Sequence, residues 1–179
     1  MRTGGNEAGT YTYAYNGNRL ATINSKAYAY DANGNMTKDG YRNLTIEYNL
    51  LNLPKNVKNS TGGSLEYIYD AAGNKLAKKL NGAFVNFYCG SVVYTGSKAV
   101  EYVMHSQGMA RPNGSNWEYQ YNLTDHLGNV RSVALGSNAV LQSTDYFPFG
   151  LAHSVGNLAK NKYLYNGKEW QTCVLPVSI

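Results

Sequence analysis

The sequence predicts an all-β protein in which repeated β-hairpins lie side by side in a curved antiparallel sheet. A short tyrosine-containing phrase recurs four times in the first half of the 179 residues. Tyrosine accounts for 17 residues, against four Phe and two Trp, and glycine is frequent at 19 while proline is rare at 4. Aromatic residues favour strands and glycine favours turns, and residues 1–86 show little helical periodicity.

The phrase consists of an aromatic or β-branched residue, any residue, Tyr, Asp or Asn, and then a turn. Alternate residues of a strand share one face, so the two ring-bearing positions lie on the same side of the sheet. Such an internal repeat indicates supersecondary units that bury their apolar faces only when stacked. The residues predicted to shape the repeats are Tyr13, Tyr15 and Gly17; Tyr28, Tyr30, Asp31 and Gly34; Tyr48, Asn49 and Asn52; and Tyr67, Tyr69, Asp70 and Gly73.

The residues after each tyrosine pair are typical of hairpin loops. In 31–35 and 70–74 the leading Asp accepts backbone N–H groups ahead of it, and Gly supplies the left-handed conformation that ends the loop. In the third copy Asn49 and Asn52 stand in for Asp and Gly, because Asn is the next most tolerant residue for a positive φ. In the shorter first copy, Asn16-Gly17 predicts a tight two-residue turn.

Composition and charge exclude several classes of protein. Apolar residues make up 43% of the chain and charged residues 15%, which is typical of a folded domain and not of a disordered one. The net charge of +5 is scattered along the chain, whereas a nucleic-acid binder concentrates Lys and Arg in one stripe. Cys89 and Cys173 match no metal spacing, and two reduced thiols are favoured over a disulfide. The sequence therefore predicts no cofactor, no metal and no nucleic-acid partner.

No segment approaches the length of a membrane span, and the N-terminus lacks the apolar stretch of a signal peptide. The absence of such a signal does not exclude export, because a longer parent protein or a dedicated secretion machine can supply the route.

The chain divides by pattern into three parts. Residues 1–86 form the predicted hairpin array, 87–171 a second β-region, and 172–179 a tail that continues neither pattern. Within the second region strands are predicted at 100–105, 117–122 and 130–135, with others beside them. The segment 107–116 contains Gly108, Pro112 and Gly114 and is predicted to be an exposed loop.

No group of residues predicts a catalytic site. Asp125-His126 resembles an acid–base pair, but adjacent strand residues point to opposite faces, and Gly128 favours a turn instead. His105 and His153 lie in unrelated segments, and the serines lack the context of a nucleophile elbow.

Three later segments, 121–131, 145–150 and 161–169, follow the repeats in a fixed order. With the four tyrosine phrases they resemble the Rhs family: the phrases resemble its YD repeats, and the three segments resemble landmarks of the Rhs repeat-associated core region. The resemblance covers about residues 11–171. The core-region positions to which the resemblance assigns a structural role are Asp125, His126, Gly128, Arg131, Tyr146, Pro148, Gly150, Tyr163, Tyr165 and Gly167.

The resemblance implies a large secreted or cell-surface polypeptide, found mainly in bacteria. Its YD repeats wind into a hollow β-shell, the core region plugs one end, and a variable C-terminal toxin used in bacterial competition is held inside. The expected role of this chain is a partial shell segment without chemistry of its own, and its expected partners are the remainder of the polypeptide and the toxin. The family pattern stops after about Gln171 without the Asp-Pro segment that contributes to toxin release, so no protease residues are assigned.

Two further expectations accompany the shell hypothesis. Exposed aromatic rings stack on sugars, which leaves open a cell-surface carbohydrate-binding module; the candidate rings are Tyr11, Tyr28, Tyr67, Trp117 and Tyr119. A partial shell also leaves unpaired strand edges, which predicts self-association of the isolated chain.

Overall fold

The computed structural model describes residues 10–147, 150, 152–155 and 161–170. The chain divides into two compact units, the first ending at Phe87 and the second beginning at Tyr88. Antiparallel strands make up both units, which confirms the all-β prediction. The predicted three-part division of the chain stays a prediction, and the tail at 172–179 lies outside the described residues.

The first unit begins with a three-stranded antiparallel sheet in which the central strand pairs with both neighbours. A longer antiparallel series follows, in which consecutive strands are neighbours. The strands of the small sheet are β1 (Tyr13–Asn16), β2 (Arg19–Ile23) and β3 (Lys26–Ala27). Those of the series are β4 (Ala29–Tyr30), β5 (Met36–Asp39), β6 (Leu44–Tyr48), β7 (Pro54–Asn59), β8 (Ser64–Tyr69), β9 (Lys75–Leu80) and β10 (Ala83–Cys89).

The second unit repeats this arrangement, with each strand hydrogen-bonded to the next in chain order. Its strands are β11 (Val92–Thr95), β12 (Val100–His105), β13 (Gly108–Asn113), β14 (Asn116–Thr124), β15 (Val130–Leu135), β16 (Val140–Tyr146) and β17 (Ala152–Val155). A 3₁₀ turn at Tyr165–Gly167 follows. Among the described residues no helix is long and apolar enough to cross a membrane.

The sheet of the first unit has one buried face, mostly apolar but including Lys78 opposite Tyr67, and one charged face, because side chains alternate with a period of two. The buried face carries a cluster of buried Leu44, Leu65 and Tyr67 with Val57 and Leu80 packed against it. On the charged face two cross-strand ion pairs lie side by side. Glu47 pairs with Lys58 at 3.5 Å, and Glu66 pairs with Lys79 at 3.3 Å.

The buried face of the second unit mixes apolar and polar side chains. Val93, Tyr102 and Met109 form its apolar cluster. Gln120 pairs directly with Met109 in the ladder, and Gln142 pairs with Val133, so these amide side chains lie on the same buried face. Buried amides need polar partners: Gln120 donates to Glu118 at 2.8 Å and Gln142 to Thr144 at 3.4 Å, both within the sheet.

The predicted loop at 107–116 is wrong, because β13 occupies most of it. Gly108 allows a close approach of two backbones: a Cβ at this position would lie against the carbonyl oxygen of Gln120. Pro112 lies beyond the part of β13 that pairs with β12, so its missing N–H breaks no ladder bond on that side. The first repeat also differs, since the two-residue turn is Gly17-Asn18, between the paired Asn16 and Arg19.

Replacing Gly108 by Ala should destabilise the protein by about 1–3 kcal/mol, because the added methyl group has no space against the neighbouring strand. Urea unfolding followed by far-UV circular dichroism measures the loss. Gly136→Ala is the matched control: its nearest neighbour would be Tyr121 Cε2 at 3.8 Å, so its stability should be unchanged or slightly raised. Equal losses in the two variants would contradict the close approach.

Candidate functional site

The loops that follow the tyrosines share one hydrogen-bonding pattern, seen most fully at Asp70. One carboxylate oxygen of Asp70 accepts the backbone N–H groups of Ala72 and Asn74 at 2.9 and 2.8 Å. The other accepts the Asn74 side-chain amide at 2.8 Å. Gly73, with φ of +87°, donates its N–H to the carbonyl of Asp70 and turns the chain back into β9. The loop is therefore closed by its own first and last residues.

The same pattern recurs at the other leading residues. Asp31 accepts the backbone and side-chain N–H groups of Asn35, at 2.8 and 2.9 Å. Asn49 replaces Asp in the third copy, and its amide oxygen accepts the N–H groups of Leu51 and Leu53. Asn52 has the positive φ that Gly has in the other loops. In the core region Asp125 accepts the backbone N–H groups of Leu127 and Asn129 and the Asn129 side chain. Asp125 is thus the leading residue of a loop, and the adjacent His126 is exposed.

Five further loops in the described part of the chain share this backbone feature without an Asp- or Asn-led tyrosine phrase. Each has a backbone hydrogen bond from the fourth residue back to the first, and the fourth residue has a positive φ. Their first and fourth residues are Asn59 and Gly62, Thr95 and Lys98, Leu135 and Asn138, Phe147 and Gly150, and Leu164 and Gly167. In the Asn59 loop, which has the pattern Asn-x-x-Gly, Asn59 Oδ1 accepts the N–H groups of Thr61 and Gly63. The loops led by Leu135 and Leu164 have no polar leading side chain, so the sequence indicates their fold only through Asn138 and Gly167 at the positive-φ position.

The loop hydrogen bonds lower the pKa of the three aspartates. In Asp31, Asp70 and Asp125 the largest cause is the amide of the Asn four residues on, and backbone N–H groups add to it. These bonds favour the ionised carboxylate, because a protonated carboxyl group cannot accept them equally well.

Four tyrosines, the second of the second, third and fourth phrases and Tyr146 of the core region, each bind an earlier strand through a bond here called the tyrosine clamp. In a tyrosine clamp the phenol hydroxyl donates a hydrogen bond to a backbone carbonyl. The four clamps join Tyr30 to Leu20 at 3.1 Å, Tyr48 to Met36 at 3.0 Å, Tyr69 to Pro54 at 2.9 Å, and Tyr146 to Val130 at 2.8 Å. In the last three the acceptor is the residue directly after the preceding Asp- or Asn-led loop.

Burial raises the pKa of the clamp tyrosines Tyr48 and Tyr69 and raises that of Tyr146 to about 12. The hydroxyl therefore keeps its proton, and remains a donor, throughout the physiological range. Neighbouring loops also bond to each other: Asn52 Oδ1 accepts the side-chain amides of Asn33 at 2.9 Å and Asn35 at 2.8 Å.

The landmarks of the core region come together in the second unit. The segment 161–170, here called the core clasp, folds back over the loop that begins at Asp125. Val130 donates its N–H to the Leu164 carbonyl at 3.2 Å, and the Asn166 N–H bonds to Asn129 Oδ1 at 3.1 Å. Leu164, only 1% exposed, is buried in this contact. The structure thus places the first and third landmarks against each other.

The second landmark joins the same group of residues. Tyr146 and Tyr165 meet edge to face with their centroids 5.8 Å apart. Gly150 lies so close to the ring of Tyr165 that a Cβ there would stand 2.6 Å from ring atoms. The Arg131 guanidinium lies over the Tyr146 ring, with its Nη2 atom 2.6 Å from Asp145 Oδ1. The remaining predicted residue of this landmark, Pro148, lies outside the described residues.

Polar groups of the core clasp bond to the buried face of the sheet. Asn161, fully buried, donates from its amide to Asn122 Oδ1 at 2.7 Å. The hydroxyls of Tyr163 and Tyr102 are 3.1 Å apart. Tyr88 donates to Glu169 at 3.1 Å. Burial is the first cause that raises the pKa of Tyr88, Tyr102 and Tyr163, so these phenols stay protonated.

The tyrosines of the first repeat are more exposed than those of the later repeats. Tyr13 and Tyr15 are exposed on β1, and Gly17 forms the following turn. In the second repeat, Tyr28 is half-buried and bonded to Asp39, which with burial raises its pKa.

The five candidate sugar-binding rings differ in exposure and contacts. Tyr67 is buried, and Tyr11 bonds through its hydroxyl to Tyr41 at 3.1 Å. Trp117 and Tyr119 do come together: they are 46% and 52% exposed and line a shallow depression of about 260 Å³. The other lining residues are Val103, His105 and Ala110. Among the described residues no group of three or more His, Cys, Asp or Glu side chains is placed to hold a metal ion.

The chain is similar to curated nucleases over a small part of their length. The tRNA3(Ser)-specific nuclease WapA of Bacillus spizizenii is 29% identical over 169 residues, covering 86% of this chain and 7% of the relative. The tRNA nuclease WapA of Bacillus subtilis is 36% identical over 73 residues, covering 40% of this chain and 3% of the relative. The chain therefore spans less than a tenth of these relatives. No protein-family model matches it.

Solved structures share the fold. A crystal structure of TcdB2-TccC3-TEV matches with a TM-score of 0.64 at 12% identity, covering 91% of this chain and 10% of that chain. A crystal structure of TcdB2-TccC3 matches with a TM-score of 0.63 at 13% identity, covering 80% of this chain and 9% of that one.

Replacing Tyr69 by Phe should cost about 1 kcal/mol of unfolding free energy, because the clamp is lost and the Pro54 carbonyl loses its donor. Tyr119→Phe is the matched control, since Tyr119 is 52% exposed on β14, and it should change stability little. Chemical unfolding of both variants beside the parent chain measures the difference. A Tyr69→Phe variant as stable as the parent would contradict a clamp that stabilises the array.

Stability should fall on acidification as the loop aspartates are protonated. The folded-state pKa of Asp31, Asp70 and Asp125 is below the ordinary value of 3.8, so their contribution is complete above that value and is lost as pH falls through the lowered folded values. Unfolding midpoints measured from about pH 6 to about pH 2 follow the loss.

Changing all three aspartates to Asn should weaken this acid dependence, since Asn49 shows that an amide oxygen serves the same loop without titrating. Asn49→Asp provides the converse variant and should strengthen it. An unchanged acid profile in both variants would refute the assignment to the loops.

Proposed function

We propose that this chain, a YD-repeat, Rhs-type segment, forms part of the wall of a β-shell that encloses or presents a C-terminal toxin. Its homology to WapA and its fold confirm the resemblance to that family. The shell role, the toxin and the enclosure are the proposal. The observation that carries it is the tyrosine clamp, repeated four times.

The clamps and the loop bonds support a structural role because together they satisfy the polar side chains of the repeated phrase. Tyr48, Tyr69 and Tyr146 donate to main-chain carbonyls, and Asp70 and Asp125 are engaged by the N–H groups of their own loops. A residue placed for catalysis instead presents its reactive atom to a cleft. The phrase therefore builds a wall, and the chain adds no chemistry of its own.

The proposed partners are the remainder of a longer polypeptide and the toxin that follows it. The curated relatives are named as tRNA nucleases, and this chain corresponds to 7% and 3% of two of them. In the proposal, any such nuclease activity lies outside this segment, in a secreted or cell-surface protein. In the proposal, the core clasp holds the landmark segments against the last strands and so stabilises this part of the shell wall.

The test is to express the complete polypeptide that contains this segment and to image it by electron microscopy. A hollow particle with internal density for the toxin is expected, and a solid globular particle would overturn the proposal. Protease digestion adds a second readout. A variant with Tyr48, Tyr69 and Tyr146 changed to Phe should lose protection of the toxin, whereas Tyr119→Phe should keep it.

Carbohydrate binding is a second candidate, favoured by the depression between Trp117 and Tyr119. Two exposed rings beside Val103 and Ala110 form an apolar platform of the kind that stacks on a pyranose ring. Glycan-array binding that Trp117→Ala abolishes would support this function. Phe84→Ala is the control, because Phe84 is 45% exposed on a different strand. An array without hits would remove the candidate.

A further inference from the structure

The chain contains five Asn-Gly dipeptides, and all five are exposed, so exposure does not distinguish them. They lie at 16–17, 33–34, 81–82, 113–114 and 166–167. An Asn that precedes Gly deamidates readily, because no side chain on the glycine hinders its main-chain nitrogen from attacking the Asn carboxamide. The attack needs a glycine N–H that is not already donated and an Asn side chain that is free to turn toward it.

Hydrogen bonds restrain three of these dipeptides. Gly34 and Gly167 each donate their N–H to the main-chain carbonyl three residues earlier, at 3.1 and 3.3 Å. At 81–82 the side chain is held instead, because Asn81 Oδ1 accepts the Ser64 N–H at 2.8 Å. The bonds that close the loops of the array therefore also restrain the Asn-Gly dipeptide at 33–34 against self-attack.

The dipeptides at 16–17 and 113–114 lack both restraints. Each spans the start of a two-residue turn between paired strand ends, Asn16 with Arg19 and Asn113 with Asn116. The two glycines have φ of +61° and +60°. In the part of the chain that the structure describes, no hydrogen bond engages either Asn side chain or the N–H of the glycine that follows it. Only the last pair of each ladder has to open for the attack, and such ends fray most easily.

We propose that Asn16 and Asn113 are self-modification sites of the folded chain, at which Asn becomes a mixture of aspartate and isoaspartate. The nitrogen of the following glycine loses its proton and bonds to Cγ of the Asn, the bond from Cγ to Nδ2 breaks, and ammonia leaves. Water then opens the resulting five-membered imide at either of its carbonyls. Opening at Cγ gives aspartate, and opening at the main-chain carbonyl gives isoaspartate, in which the chain runs through Cγ. Water is the co-reactant of the second step.

The two hairpins closed by these turns are therefore the ones that change as the protein ages. Either product adds one negative charge at the turn. Isoaspartate also lengthens the main chain by one carbon atom, and a two-residue turn matches the twist of its strands only at its own length. This inference does not depend on the proposed wall role, because it concerns the chemistry of two turns in the chain itself.

The test compares the five dipeptides within one sample. The folded chain is incubated at mildly alkaline pH, and peptide mass spectrometry follows the mass gain of deamidation at each Asn. Asn16 and Asn113 should react at least roughly tenfold faster than the three restrained Asn, the factor that the free energy of one hydrogen bond gives in a rate. In guanidinium chloride, where the restraints are lost, the five rates should converge. Endoproteinase Asp-N, which cleaves before aspartate and not before isoaspartate, separates the two products.

Asn113→Gln is the matched variant, because glutamine would have to form a larger ring and reacts more slowly. It should remove the modification at 113 and leave the rate at Asn16 unchanged, with far-UV circular dichroism confirming that the variant folds. Similar rates at all five Asn in the folded chain, or faster reaction at a restrained one, would overturn the proposal. Reaction at only one of the two sites would overturn the assignment of the other. Rates that keep the same order in guanidinium chloride would show that local sequence, and not the fold, selects the sites, and would also overturn it.

Discussion

A phenol hydroxyl bonded to a main-chain carbonyl of an earlier strand is the interaction on which this array depends. The strands are short: β4 has two residues and β5 has four, so their ladders offer few bonds to define a register. A slip of one residue would move every side chain to the other face. The Tyr30 clamp ties β4 to β2, and the Tyr48 clamp ties β6 to β5, each at a single position. Phenylalanine would give the same packing without the donor, which explains why the aromatic at this position is tyrosine.

The loops complement the clamps by fixing where each return strand begins. In three of the four clamps the acceptor directly follows the closing residue of an Asp- or Asn-led loop, so in these hairpins the loop sets the position of the carbonyl that the tyrosine reaches. Loop chemistry and clamp geometry are therefore one constraint, and this accounts for the spacing from Asp or Asn to a positive-φ residue three positions on. The intervals between the phrases can vary, because the strands and the opposite turns between successive loops absorb the difference.

Sequence reasoning predicted those features that local chemistry determines. Asp70 and Gly73 are close in the chain, so their loop could be read directly, and the strand at 100–105 was predicted at its observed bounds. The prediction of a loop at 107–116 was wrong because Gly108, Pro112 and Gly114 were interpreted as loop residues. Their actual roles depend on which strands lie beside them, since Gly108 is required by the backbone of Gln120. Neighbouring strands are not visible in a local pattern.

The clamps and the core clasp could not be predicted for the same reason. The sequence identified Tyr146, Gly150 and Tyr165 as separate landmarks, and nothing in their spacing indicated that the rings would meet. Tyrosine hydroxyls were expected to need partners, but which carbonyl each would reach depends on strand pairing. The amides of the buried face, Gln120 and Gln142, are a similar case: their burial follows from register, although their composition favours the surface.

The two sets of hydrogen bonds respond differently to pH, and this separates their roles. The loop bonds require ionised carboxylates at Asp31, Asp70 and Asp125, whereas the clamps require protonated phenols, and burial raises the pKa of Tyr48, Tyr69 and Tyr146. Acid therefore weakens the loop ends while leaving the clamps between strands intact. In each unit an acidified array would loosen first at the strand ends that the Asp-led loops join, and would keep its strand order. The same division explains why these carboxylates are poor candidates for catalysis: a group held ionised by its own loop neither gives nor takes a proton near neutral pH.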